Sequence, residues 1–122
     1  MHLSRRVSQQ LCDIYLQNVD PVFKILHRPS IQLFLRDGGP YLDYEPSHEA
    51  PATLASAIYF AAVCTLDDAQ CSVLFGTEKK ILVQLFQKEC EAALAKADLA
   101  TSDDLAVLQA YVISLVSPNS HC

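Results

Sequence analysis

Glycine is scarce, with 3 residues in a chain of 122. Glycine-rich phosphate loops and the G-x-S-x-G nucleophile elbow both need glycine where the backbone turns sharply or touches a ligand, so neither is present. Cysteine is too thinly spread for metal chemistry. Cys12, Cys64, Cys71, Cys90 and Cys122 make an odd count, with no two of them two or three positions apart. A binuclear zinc cluster needs six closely spaced thiolates, and these residues build none. The four histidines, His2, His27, His48 and His121, include no His-x3-His pair, so no metal and no cofactor is expected. Positive charge is short as well. Lys and Arg number 9 against 14 Asp and Glu, a net charge of −5. A surface that tracks duplex phosphates needs clustered cations. Arg5-Arg6 is a local pair and no such surface, so direct nucleic-acid binding is not expected. The longest apolar run, Ala57 to Thr65, is far shorter than the ~20 residues of a membrane span. Arg5 and Arg6 lead into Gln9, Gln10 and Asp13 rather than a signal-peptide core. The expectation is a soluble, intracellular chain that does not engage membranes.

Alanine and leucine dominate the remainder, and 51% of residues are apolar. No stretch alternates as a strand should. Leu3, Val7, Leu11, Ile14 and Tyr15 recur at three- and four-residue steps, one face of a helix that Ser4 can cap. A second, short helix is expected from Ser30 through Leu35, stopped by Gly38-Gly39-Pro40. Residues 38–51 read as an exposed connector. Leu54, Ala55, Ile58, Tyr59, Ala62 and Val63 define a helix apolar nearly all round, hence buried on several sides. Asp67 or Asp68 can cap a short helix over Ala69–Leu74, and Gly76 stops it. Thr77 is placed as the cap of the longest helix, Glu78 to Ala97, with Ile81, Leu82, Leu85, Phe86, Glu89, Ala92, Ala93 and Leu94 inward. Asp98-Leu99-Ala100 reads as a turn. Thr101 or Ser102 then caps a last helix with Asp103 and Asp104 in its first turn. Leu105, Leu108, Val112 and Leu115 form its stripe, and Pro118-Asn119 ends it. The fold class is all-α: a compact array of five to seven helices with short turns, residues 1–122 forming a single domain. The cysteines read as buried thiols, small hydrophobes rather than ligands.

The organising stretch is Val19 to Ser30. Proline fixes φ and disfavours helix for the residue before it. Asp20 is therefore expected to cap a turn begun by Pro21. Val22, Phe23, Ile25 and Leu26 are its apolar payload, with Arg28 extended before Pro29 and Ser30 capping the next helix. Asp20, Pro21, Phe23, His27 and Pro29 are the structural motif of a rigid elbow.

These residues also carry a resemblance. Leu11 through Pro21, with Phe23-Lys24-Ile25-Leu26-His27-Arg28-Pro29-Ser30, resembles the opening of the fungal-specific transcription factor domain, the all-helical middle homology region of fungal zinc-cluster regulators. Leu54 to Val63 and Leu105 to Tyr111 resemble later helices of that domain. The resemblance runs from about Ser8 to the C-terminus and covers only the first part of the family's domain. It implies a regulatory or interaction module acting in the nucleus in transcription regulation, such as that of secondary metabolism, with a possible small-molecule effector. The zinc cluster, basic linker and coiled coil that would read DNA are not among these residues. An apolar chain that matches part of a larger helical domain is expected to pair, as a homodimer or with a larger regulator chain, with Ala57, Ala61 and Ala62 as close-approach positions.

The alternative is a small helical enzyme, a cyclase or isomerase recruited to a fungal biosynthetic pathway. Its acid–base candidates are His27, Tyr59, Asp67 and Tyr15. His27 can equally lock the elbow, and Asp67-Asp68 and Asp103-Asp104 can equally cap helices. No spacing demands catalysis, and a non-enzyme is the leading reading. Tyr41 and Tyr44 are read as ordinary loop aromatics.

Overall fold

Helix α3 (Glu49–Cys64) is the centre of the molecule. Ala55, Ala57, Ala61 and Ala62 let neighbouring backbones come close, and Leu54, Ile58, Phe60 and Val63 fill the space between. Three helices pack on it: α1 (Arg5–Asn18), α5 (Lys79–Lys96) and α6 (Leu105–Val116). A short α2 (Arg28–Ile31) runs into a π-helical turn, Gln32–Arg36, against α1, and α4 (Asp68–Phe75) lies against α5. The computed structural model describes residues 3–97 and 104–117. Among them the fold is all-α, with six α-helices and one π-turn and no strand. One continuous apolar core joins every helix. No helix among the described residues is long and apolar enough to cross a membrane.

Local chemistry explains most boundaries. Ser4 accepts the Val7 amide at 3.3 Å and starts α1. Asp67 and Gln70 form a reciprocal capping box at the start of α4, 2.8 and 2.9 Å. Gly76, at φ 71°, ends that helix in the left-handed conformation glycine adopts freely. Helix α5 runs antiparallel to α3. Lys79 Nζ donates to the Cys64 carbonyl at one end, and Lys96 pairs with Glu49 at the other, at 3.0 and 3.5 Å.

The structure corrects several expectations. Ala57, Ala61 and Ala62 are fully covered by the chain's own helices and are not offered to a partner. Ile81 and Leu85 face out, while Val83 and Cys90 face in with Leu82, Phe86 and Leu94. The buried stripe of α5 is thus rotated from the expected one, because Cys90 packs as a hydrophobe. Glu78, not Thr77, occupies the cap of α5, without a side-chain bond. Asp104 is the cap of α6, accepting the Ala106 amide at 3.0 Å, rather than a first-turn residue. The turn and caps expected over residues 98–103, the stop at Pro118-Asn119, and Cys122, His2 and His121 lie outside the described residues. Cys12, Cys64, Cys71 and Cys90 are buried, as expected.

The connector is the largest departure. Tyr41 is buried and donates to Gln109 Oε1 of α6 at 3.0 Å. Tyr44 donates to the Asp104 carboxylate and accepts the Ala106 amide. His48 accepts the Ala50 amide through Nδ1 at 3.0 Å and caps α3, with Nε2 3.8 Å from Asp104. Phe34, Tyr41, Tyr44 and His48 succeed one another ring on ring at 5.0–6.0 Å. The segment is a clasp that fastens the front of α6 to the start of α3. Proline and acid content marked it as loop, but its aromatic spacing carried the packing.

Candidate interaction surface

The elbow differs from its expected form. No helix begins at Pro21. The amides of Val22 and Phe23 both bond the Val19 carbonyl, at 3.0 and 2.9 Å, which makes a turn that goes no further. Val22 is 70% and Phe23 41% exposed, and of the expected payload only Leu26 is buried. Asp20 is no cap. Its side chain is buried, and its Oδ2 meets Arg28 Nη1 at 3.3 Å and Lys24 Nζ at 4.0 Å. Arg28 also reaches the Leu16 carbonyl at 3.4 Å. It opens α2 rather than extending before Pro29, and Ser30 hydrogen-bonds His27 Nδ1 at 2.8 Å instead of capping. What ties the elbow is a buried carboxylate meeting an arginine, not the expected greasy turn.

The four acid–base candidates are not assembled. His27 is exposed at the start of α2 and engaged with Ser30. Asp67 is exposed and spent on capping α4. Tyr15 is fully buried in α1, its phenol without a protein hydrogen bond among the described residues, and burial pushes its ionisation far above the ordinary range. Tyr59 sits half-buried on α3 with its oxygen 2.6 Å from Ser8 Oγ. Burial raises its pKa, and the Ser8 bond partly offsets that. No cluster of three or more His, Cys, Asp or Glu able to hold a metal occurs among the described residues.

Helix α6 shows two different faces. Ala106, Val107, Ala110 and Ile113 are buried against α3, as small and branched side chains suit a close contact. Leu105, Leu108, Val112 and Leu115, the expected stripe, are exposed, and Tyr111 is exposed with them. From Leu105 to Ser117 there is no charged residue. Leu115 borders a furrow shared with Cys90 and Leu94 of α5, and Val22 and Phe23 of the elbow flank a small notch beside Val116. Large contiguous apolar patches are rare on monomeric proteins and often mark interaction sites.

A separate groove of about 550 Å3 lies between α3 and α5. Ala52 and Ser56 on one side and Ala93 on the other leave it open, and Phe86 and Tyr59 contribute rings. The Glu49–Lys96 ion pair spans it near one end.

Sequence comparison sets this geometry in context. The C6 finger domain transcription factor adaR of Aspergillus niger is 46% identical over 114 residues. The match takes in 93% of this chain and 15% of that protein. The C6 finger domain transcription factor nscR of Aspergillus fumigatus is 41% identical over 117 residues, 95% of this chain and 15% of its own length. Transcription factor vrtR2 of Penicillium aethiopicum is 42% identical over 115 residues, 93% and 14% respectively. All three relatives are transcription factors, two of them C6 finger domain transcription factors. The chain spans about 15% of the length of these curated relatives. No family model and no solved structure matches it. The relationship supports a transcription-factor-like regulatory fragment, and the matching segment contains the elbow, α3 and the aromatic clasp.

Proposed function

We propose that the chain is a regulatory, protein-association segment of a C6 finger transcription factor-like protein, acting in the nucleus in control of secondary metabolism. It associates through the outward face of α6, with a second copy or with a larger regulator chain, and makes no direct contact with DNA. One observation carries the reading. A helix docked on the core by one face presents five large apolar side chains and no charge on the other. The similarity to C6 finger transcription factors supports the regulatory setting. The acidic balance of 14 against 9 supports the absence of phosphate contacts. His27, Tyr59, Asp67 and Tyr15, the residues offered for the cyclase or isomerase alternative, hydrogen-bond other groups or none among the described residues rather than one another.

The test is sedimentation of the 122-residue chain across a dilution series, with Val112→Glu placed at the centre of the face. Concentration-dependent dimer that the variant abolishes is the expected result. A monomer at every concentration, for wild type and variant alike and with no binding to a larger C6 regulator chain, refutes it.

A further inference from the structure

The α3/α5 groove is built differently from the α6 face. Its open space comes from three small residues on facing helices, Ala52, Ser56 and Ala93, at positions where larger side chains would close it. Its volume of about 550 Å3 falls within the range of small-molecule sites, roughly 300–1,000 Å3.

Polar residues share the lining: Thr53 and Glu89 join the Glu49–Lys96 pair, and further hydroxyls sit where the groove meets α1. Tyr59 and Ser8 present paired hydroxyls, 2.6 Å apart, each with further hydrogen-bonding capacity. Tyr59, with Leu3 and Ala55, is shared with a second hollow of about 400 Å3 between α1 and the π-turn. Arg5 lies in that hollow. Its guanidinium rests on Gly38, where a Cβ would come within 2.1 Å of Nη1. Gly38 has φ +76°, so the bare backbone both makes the turn and admits the arginine. No ion pair to Arg5 occurs among the described residues, whereas the lysine at the opposite end, Lys96, is matched by Glu49. A groove with two rings thus adjoins a hollow that holds the Ser8 hydroxyl and the Arg5 guanidinium, with Tyr59 lining both.

We propose that this furrow binds a small ring-containing apolar molecule carrying an acidic oxygen: the rings lie between Phe86, Ala93 and Ala52, a hydroxyl or carbonyl meets Tyr59 and Ser8, and the acidic group faces Arg5. The occupant is a small molecule rather than a protein segment, and the site does not depend on association through α6.

Anilinonaphthalene sulfonate, an aromatic anion of this class, is the probe. Its fluorescence is titrated against the full chain, in parallel with Ala93→Trp, Ala52→Trp, Arg5→Gln and Val112→Ser. The expected result is saturable binding that either tryptophan weakens by about tenfold or more. Arg5→Gln weakens it severalfold, and more at low salt, as for an exposed charge contact. Val112→Ser leaves it unchanged. Circular dichroism and the melting temperature identify which filled variants keep the fold. Ala52→Trp, at an exposed position, carries the test if Ala93→Trp does not fold. Equal affinity in a folded, groove-filled variant overturns the proposal. So does loss of binding in Val112→Ser, which would place the dye on α6, and so does the absence of saturable binding to wild type.

Discussion

Asp20 shows how one side chain can replace the role its neighbours imply. Beside Pro21 it has the sequence signature of a helix cap, yet its carboxylate is buried and faces Arg28 across the elbow. Asp20→Ala removes a charge-assisted contact and leaves a guanidinium that is half-exposed and can hydrate. It should lower stability by about 2 kcal/mol, read as a shift in the urea midpoint. An unchanged midpoint would mean that the contact is decorative. Phe23, 41% exposed, should behave in the opposite way to a core ring. Phe23→Ala is expected to cost less than about 1 kcal/mol, well below the ~3–5 kcal/mol of a buried phenylalanine. A larger loss would place the ring in a contact with another chain or in the core. The elbow's position was legible because Pro21 and Pro29 bracket it. Its interior was not, because four apolar residues around Lys24 do not reveal which of them lie beneath the Asp20–Arg28 pair.

The helices themselves were largely legible, since caps and periodicity act over three or four residues. Ser4, Asp67 and Gly76 all act where they stand in the sequence. Rotation was harder. Ile81 and Leu85 are as apolar as Leu82 and Val83, and only the position of α3 decides which pair goes inside. The clasp over residues 38–48 was missed for the same reason, because the partners of Tyr41 and Tyr44 lie sixty or more positions on. Tyr44→Phe should lower stability by about 1 kcal/mol and speed proteolysis of this segment, leaving the rest of the chain protected. Proteolysis at the wild-type rate would show that ring packing alone holds it. Within α1 and α5, burial pushes the Cys12 and Cys90 thiols from 9.0 up to about 11. The folded chain keeps these protons after the unfolded chain has released its own. The stability they confer is complete below about pH 9 and is lost as pH rises towards 11, on the order of 2 kcal/mol per thiol. Urea midpoints falling steadily across that window are expected. A flat profile would mean that the two thiols ionise equally in both states.

At the scale of the molecule, the all-α architecture was legible in scarce glycine, abundant alanine and leucine, and the 3.6-residue repeat. The candidate surface was only half legible. The outward stripe of α6 is plain in the sequence, but the alanines of α3 that resembled a pairing face are consumed inside the fold. The furrow had no sequence signature, since a gap is made by small residues on two helices some forty positions apart. Two outcomes test the whole-chain reading. Light scattering should show a dimer that dissociates on dilution and that Val112→Glu reduces to monomer. Gel-shift titration at physiological salt should show no sequence-selective binding to duplex DNA, given a net charge of −5. Nanomolar selective binding would contradict that.

The central place of α3 has a consequence for the order in which the chain is made. Its last cover, α6, begins at Leu105, and residues 65–104 lie between. At roughly 5–20 residues per second, translation leaves one side of an almost wholly apolar helix bare for several seconds. The nascent chain should therefore engage a ribosome-associated chaperone after Cys64 emerges and release it once α6 clears the exit tunnel. Arrest-peptide force profiling would register this as a single late peak in pulling force. An early peak, before α6 is outside, would mean that α1, α3 and α5 close without it.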